Sequence, residues 1–430
     1  MKYHPINNQL FIKNRAKFTA QMKSKSIAIF NSNDLFTTGA DSTIPFEQSS
    51  DLLYLSGADQ EESILLLFPD AINPNHREIL FLTETNDHIA IWYGAKYSKE
   101  EAKKVSGLKT VYWLSEFDKV FYDLMTEAEA VYFNTNEHYR QAVAIETRED
   151  RFIKKCKADF PAHKWEKSNQ ILQHIRGVKE PEEIEILQTA CDITNKGFRR
   201  ILPFVKPEIM EFEIEAEFMH EFLRNRSDGF AYTPIIASGY SACVLHYIEN
   251  NKECKDGDML LMDVGADYAN YSSDMTRTIP VNGRFSDRQK AIYNAVLRVK
   301  KEATKMLTPG VLWAEYQKEV GKIMSSELLD LGLIDKAAIQ NEDPNWPAYK
   351  KYFMHGTSHH MGLDTHDYGA LKTPMKAGMV FTVEPGIYIP EENMGIRIED
   401  DVVVQKTGEP INLMKNIPIE VEEIEELMNS

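Results

Sequence analysis

Long apolar runs are missing from this 430-residue sequence: the longest, such as Ile64–Phe68 and Met259–Met262, fall far short of the about 20 residues that cross a bilayer. Cysteine is scarce as well. Cys156, Cys191, Cys243 and Cys254 are widely spaced and form no CxxC, which argues against a disulfide scaffold or a cysteine zinc site. Positive charge is in short supply, with 49 Lys+Arg against 66 Asp+Glu and a net charge of −17. A surface so acidic repels phosphate backbones and anionic lipid, so no nucleic acid and no membrane is expected as a partner. The opening residues, MKYHPINNQLFIKNR, contain no apolar core of a leader peptide, and the expected location is cytoplasmic. What is present is ordinary for a folded protein: 43% hydrophobic and 27% charged residues exclude a disordered or fibrous chain. The length is too great for one core and suits two or three domains.

The first third mixes strand and helix signals. Ser26–Phe30, Ser63–Phe68 and Glu78–Leu82 are short, β-branched or leucine-rich, and bounded by turn residues, so they read as buried strands. Ser98–Val105 and Leu114–Thr126 read as helices. Near Phe160-Pro161-Ala162-His163 the texture changes, and a helix is expected from about Lys167, with Ile171, Leu172 and Ile175 on one face. Another opens at Glu180-Pro181-Glu182-Glu183, where proline and acids suit a first turn. The boundary is placed within residues 160–180, dividing the chain into 1–168 and 169–430. In the second part, Ser286-Asp287-Arg288-Gln289 is a capping-box pattern, followed by the apolar stripe Ile292, Val296, Val299, Ala303 and Leu307. The fold class is α/β in the α+β sense, with a mixed N-terminal domain.

One internal echo stands out. Lys255-x-Gly257-x-Met259-Leu260-Leu261-Met262-Asp263 lines up with Lys376-x-Gly378-x-Val380-Phe381-Thr382-Val383-Glu384: a turn, then a strand, ending in a carboxylate. Gly265 to Asn270 suit a hairpin turn that would bring Asp274 back beside Asp263. After Glu384, Pro385-Gly386 and Glu391-Glu392-Asn393 interrupt a second strand–turn–strand, which reaches Glu399. Four crowded carboxylates would repel one another, and two divalent cations would resolve that repulsion. Between the hairpins, His355, His359, His360 and His366 fall within twelve residues. His355 and His359 are spaced to share a helical face, while His366 lies in a loop-like stretch. Imidazole with carboxylate suits manganese, cobalt, zinc or iron better than calcium. Singly, each of these residues has a plainer reading: Asp263 or Asp274 as a solvated turn, the histidines as surface chance, Tyr388 and Arg397 as core edge and ion pair, and His246 as a packed interior histidine.

Taken together, Met262-Asp263-Val264-Gly265, Ser273-Asp274-Met275-Thr276-Arg277-Thr278, His355-Gly356-Thr357-Ser358-His359, Thr382-Val383-Glu384-Pro385-Gly386 and Arg397-Ile398-Glu399-Asp400-Asp401 resemble the pita-bread metallopeptidases, which include methionine aminopeptidase, prolidase and aminopeptidase P. Phe46–Gly57 resembles the non-catalytic domain of the last two, and Gly-Thr-Ser-His with Asp364-Thr365-His366-Asp367 is most similar to the bacterial aminopeptidase P branch. The resemblance implies a C-terminal pita-bread domain and five metal ligands, Asp263, Asp274, His359, Glu384 and Glu399. It implies two divalent ions, Mn²⁺ before Co²⁺ or Zn²⁺, that hold the attacking hydroxide between them. Glu384 is then the proton shuttle, His246, His355 and His366 surround the substrate, and Tyr388 and Arg397 line the proline pocket. The implied reaction removes the first residue from small peptides with proline second, with prolidase as the alternative and a non-catalytic binding protein as the alternative from another class. A homodimer or homotetramer is implied too. One departure is the short interval from Glu384 to Glu399, where the family often carries an insertion.

Overall fold

The computed structural model describes residues 2–138 and 145–430. The chain forms two compact units, one of them Pro5–Arg176 and the other built on Gly177–Ser430. In the first, β1 (Ser26–Asn31), β2 (Ile64–Leu67), β3 (Glu78–Leu82), β4 (Thr110–Trp113), β5 (Ala130–Phe133) and β6 (Lys164–Lys167) form a sheet in the order β4-β3-β2-β1-β5-β6. β1 pairs antiparallel with β2 and parallel with β5, so this sheet is mixed. Its apolar strands meet the aromatic face of the helix Phe117–Met125 in a core that includes Ile27, Leu66, Phe81, Phe121 and Val131. The stretch expected to start a helix at Lys167 instead ends a strand. Lys164-Trp165-Glu166-Lys167 adds to the edge of the sheet in register with β5, and the helix begins at Asn169.

The second unit opens with the helix Pro181–Ile201, whose Glu183 side chain accepts the Glu180 N–H at 2.8 Å. The helix Asp287–Lys305 starts on the capping box read from the sequence: Gln289 accepts from Ser286 N at 2.8 Å, and Ser286 Oγ from Gln289 N at 3.3 Å. Its Ile292, Val296 and Val299 are fully buried, each worth about 1.5–3 kcal/mol of apolar transfer. That is the main reason the helix stays seated, since a cap adds only about 1 kcal/mol. Short antiparallel ladders lie beside these helices. β7 (Gly229–Phe230), β10 (Ala266–Tyr268) and β11 (Tyr271–Ser272) form one; β8 (Ile235–Ser238), β9 (Met259–Val264) and β12 (Met275–Pro280) another. β13 (Val380–Val383) pairs with β16 (Asp400–Val403) and, through it, with β17 (Ile411–Asn412), while β14 (Gly386–Ile389) pairs with β15 (Met394–Arg397). Among the described residues, no helix is long and apolar enough to cross a membrane.

Candidate metal centre and its histidines

Strand breaks place the acids. β9 and β12 pair with Thr276 opposite Asp263 and Met275 opposite Val264. The chain leaves this ladder at Gly265, turns through Ala269 (φ 58°) and Asn270 (φ 64°) between β10 and β11, and returns at Asp274. Gly265 has to be glycine, because a Cβ there would lie 1.7 Å from the Ser273 carbonyl oxygen. On the other side, Val383 stands opposite Asp400 and Gly386 opposite Arg397, so Glu384 and Glu399 sit together at the break between two ladders. Glu399 N donates to Thr276 O at 3.0 Å, which ties the two halves into one site. The internal echo is visible in the turns. Gly257 (φ 87°) and Gly378 (φ 86°) are both left-handed, and each follows a lysine whose carbonyl accepts from the residue after the glycine, at 3.1 and 3.2 Å.

The carboxylates crowd as the sequence reading requires. Tyr232 Oη lies 2.6 Å from both Asp263 Oδ1 and Asp274 Oδ1, although one hydroxyl proton can serve only one of them at a time. Arg397 Nη2 reaches Asp263 Oδ2 at 2.6 Å, and Thr276 Oγ1 donates to Glu399 Oε2 at 2.6 Å. Burial pushes the Asp263 carboxyl up against the opposing pull of Arg397. It pushes Glu384 up to about 7. Burial, with Asp274, Glu384 and Asp263 close by, holds Glu399 well above the ordinary carboxylate range. The protein's own cations therefore do not neutralise this group of acids. His359 Nε2 stands 3.4 Å from Asp274 Oδ2 and 3.8 Å from Glu384 Oε1. Ligand atoms of Asp274, His359 and Glu399 all fall within 4.8 Å of one another. Hard oxygens plus one imidazole, short of positive charge, fit divalent cations.

Beside the acids runs a chain of hydrogen bonds with assignable direction. Arg397 Nη1 donates to Tyr388 Oη at 2.8 Å, so Tyr388 O–H is left to donate to His355 Nε2 at 2.8 Å. His355 then carries its proton on Nδ1, which donates to Gly356 O at 2.8 Å and faces Glu384 Oε2 at 3.6 Å. Burial, helped by Arg397, drops the His355 imidazole to about 3 and keeps it neutral. Burial also disfavours a charged His359, but Asp274 and Glu384 outweigh it and hold that ring above its ordinary value.

One local expectation is corrected, and the plainer reading of His246 falls away. His355 and His359 are not on a helix: His359 O accepts from Thr382 N at 3.0 Å and Thr357 O from Glu384 N at 2.8 Å, so the segment runs beside β13. His246 is not interior but exposed, in the turn after the short helix Gly239–Cys243, close enough to act electrostatically on His355. His366 is exposed and its ring lies 3.9 Å from that of His359. Tyr388 is fully buried and Arg397 is 4% exposed, both behind His355 and Asp263. Sequence reasoning missed Tyr232 and Thr276, which hold the acids. It also missed Asp401, whose Oδ2 accepts from Asp274 N at 3.1 Å. The Asp-Asp pair after Glu399 was the available signal.

Residues 185–406 match the model of metallopeptidase family M24, and residues 11–132 match the aminopeptidase P N-terminal domain. The chain is 34% identical to Xaa-Pro aminopeptidase of Escherichia coli (strain K12), covering 98% of each, and 31% identical to human Xaa-Pro aminopeptidase 3, covering 92% of this chain and 79% of that protein. Among solved structures, zinc-substituted E. coli aminopeptidase P in complex with product is similar with a TM-score of 0.87, at 32% identity over 99% of each chain. Pseudomonas aeruginosa aminopeptidase PepP is similar with a TM-score of 0.89, at 30% identity over 99% of this chain and 98% of that one.

Proposed function

This chain belongs to metallopeptidase family M24 and is a metallo-aminopeptidase, and from that premise we propose that it releases the first residue of peptides whose second residue is proline. One observation carries the reading: four carboxylates and His359 converge where two pairs of strands break, and Arg397, paired with Asp263, compensates only part of their charge. The prolidase alternative is not favoured, because relatives aligned over nearly the whole chain are Xaa-Pro aminopeptidases. The non-catalytic alternative has no support from them either.

In this reading Asp263, Asp274, Glu399, His359 and Glu384 hold two divalent cations, with Mn²⁺ preferred and Co²⁺ or Zn²⁺ compatible with the same donors. When bound, such ions polarise the scissile carbonyl and bring a water within reach of deprotonation at neutral pH. The remaining tasks fall to the chain. Glu384 accepts a proton and passes it to the departing nitrogen. An Xaa–Pro bond is a tertiary amide with no N–H, so recognition rests on a pocket shaped for the ring. His355, kept neutral by burial and Arg397 and held by its hydrogen bond with Tyr388, presents a fixed imidazole beside Glu384. His366, above His359, and the exposed His246 flank the open side, and one of them donates to the oxyanion as the carbonyl becomes tetrahedral. A cytoplasmic location, a homodimeric or homotetrameric assembly and a two-domain organisation, divided at 168/169 from the sequence and at 176/177 by the compact units, complete the proposal. The family resemblance supports the two domains and the assembly.

The test compares an Xaa-Pro-Yaa tripeptide with an Xaa-Pro dipeptide, each with and without Mn²⁺. Cleavage of the tripeptide, dependent on metal, is expected; exclusive cleavage of the dipeptide would replace this reading with the prolidase one.

A further inference from the structure

His366 sits on a stretch from Met361 to Ala370 with no regular secondary structure, yet its ring stands against that of His359. Something other than a helix or a ladder must hold it. On one side Ser272 N donates to Gly362 O at 2.9 Å, and Thr365 Oγ1 lies 3.2 Å from Ser272 Oγ. Beneath the loop, Lys179 Nζ meets Asp367 Oδ2 at 2.7 Å, with the two side chains only 1% and 2% exposed. Asp367 Oδ1 also accepts from Tyr368 N at 2.7 Å, and Asp367 N donates to His360 O at 2.9 Å. Lys179 is anchored in turn, its N–H donating to Gly378 O at 2.9 Å in the turn that precedes β13. The pair packs directly on Gly362, where a Cβ would lie 2.1 Å from Asp367 Oδ2 and 2.7 Å from Lys179 Nζ. A second side chain, His360, fills the space over Gly369, where a Cβ would lie 1.8 Å from its Cδ2.

A salt bridge withdrawn this far from water is poor value as a source of stability, since desolvation cancels much of the attraction; fixing a geometry is the better reason to keep one. We propose that Lys179 and Asp367 are positioning residues that lock the irregular loop so that His366 stands over His359 at the metal centre. In this role the pair acts through the imidazole one residue from Asp367. The inference rests on reading His366 as a group that contacts the substrate.

Because of that dependence, the experiment is a double-mutant cycle on the full-length, Mn²⁺-loaded protein, reading kcat, KM, bound metal and unfolding temperature. The perturbation is the neutral pair Lys179→Gln/Asp367→Asn, made with and without His366→Ala. With His366 present it should lower kcat about tenfold or more, the scale on which misplacing a reacting group acts, with KM and metal content little changed. With His366 already removed it should cost less than about twofold further. Equal losses in both backgrounds, or loss in step with metal, would overturn the positioning role and leave the reading of His366 intact. Near-normal kcat in His366→Ala alone would overturn that reading, and the positioning role with it. Should the neutral pair fail to fold, Gly362→Ala wedges the two charges apart without removing either and is expected to give the same non-additive pattern.

Discussion

Glu399 and Asp400 are consecutive, both buried, and electrically opposite. Glu399 faces Asp263, Asp274 and Glu384, and burial with those neighbours raises its pKa well above normal. Burial would raise Asp400 too, but Arg277 and Lys300 outweigh it and hold that carboxyl low. Arg277 Nη2 reaches Asp400 Oδ1 at 2.6 Å, Asn412 Nδ2 donates to Oδ2 at 2.7 Å, and Lys300 Nζ closes on the same oxygen. Arg277 also donates to the Glu399 carbonyl at 2.6 Å, so the compensated acid and its cations brace the uncompensated one. The lesson is a way of sorting buried acids. Here the chain closes the charge on Asp400, which is part of the framework, and leaves largely open the charge around Glu399, which suits a cation.

The largest test of that sorting is at the open group. Removing metal with a chelator should abolish turnover, with Mn²⁺ restoring it. Asp274→Asn should lose bound metal and reduce activity by about three orders of magnitude or more. The same substitution should leave the metal-free protein as stable as before or more so, because it removes one of four mutually repelling carboxylates. A variant with two bound metals and near-normal turnover would remove Asp274 from the site.

The closed group predicts the reverse. Asp400→Asn strands Arg277 and Lys300 in the interior with their countercharge gone, and breaking a buried pair in this way costs about 3–5 kcal/mol. Denaturant unfolding of the metal-free protein should show that loss, while Asp274→Asn shows none. If the two aspartates behave alike, the distinction between closed and open acids fails.

How much of this could be seen in the sequence divides along the same line. The acids were visible because strand ends and turn residues are local signals: Gly257 and Gly378 before strands, and Asn270 in a tight turn, mark where the chain must break. The groups that hold the acids were not. Tyr232, Arg277, Lys300 and Lys179 are ordinary helix, strand or loop residues whose partners lie 31 to 188 positions away. No periodicity encodes such pairings. The histidine spacing misled for a related reason: four residues apart is helical only if the backbone between is helical. Gly356-Thr357-Ser358 is poor material for that, and β13 supplies the competing hydrogen bonds. The plainer interior reading of His246 fails because the apolar string Val244-Leu245 lies in a surface turn.

Those two histidines sharpen the comparison at the next scale down. His359 is held above its ordinary pKa by the open acids, whereas burial, helped by Arg397, keeps His355 neutral. Loss of a metal ligand should appear as metal loss, and loss of an orienting group as a fall in kcat with metals present. Accordingly, His359→Ala should come out depleted of at least one metal. His355→Ala should be metal-replete with kcat lower by about a hundredfold, within the range for a positioned acid–base group. Equal metal depletion in both would make the cluster a two-histidine metal site.

The smallest effect belongs to an acid between the two classes. Glu183 is 1% exposed and accepts from Glu180 N at 2.8 Å and Tyr271 Oη at 3.0 Å; Lys179 lies near but is engaged by Asp367. Burial outweighs the pull of Lys179 and the hydrogen bonds and pushes its carboxyl up to about 6 from the model-compound value of 4.5. A raised folded-state pKa means that the native protein binds this proton more tightly than the unfolded chain does. Its contribution to stability is therefore complete below 4.5 and is lost as pH rises through about 6. Glu183→Gln keeps the shape and cannot ionise, so its stability relative to the parent should rise between pH 4.5 and 7, by on the order of 1 kcal/mol. The measurement is the denaturation midpoint of both proteins across that range, metal-free, so that the acids of the metal centre contribute equally to each. Parallel profiles would mean that Lys179 and the hydrogen bonds cancel the effect of burial on Glu183.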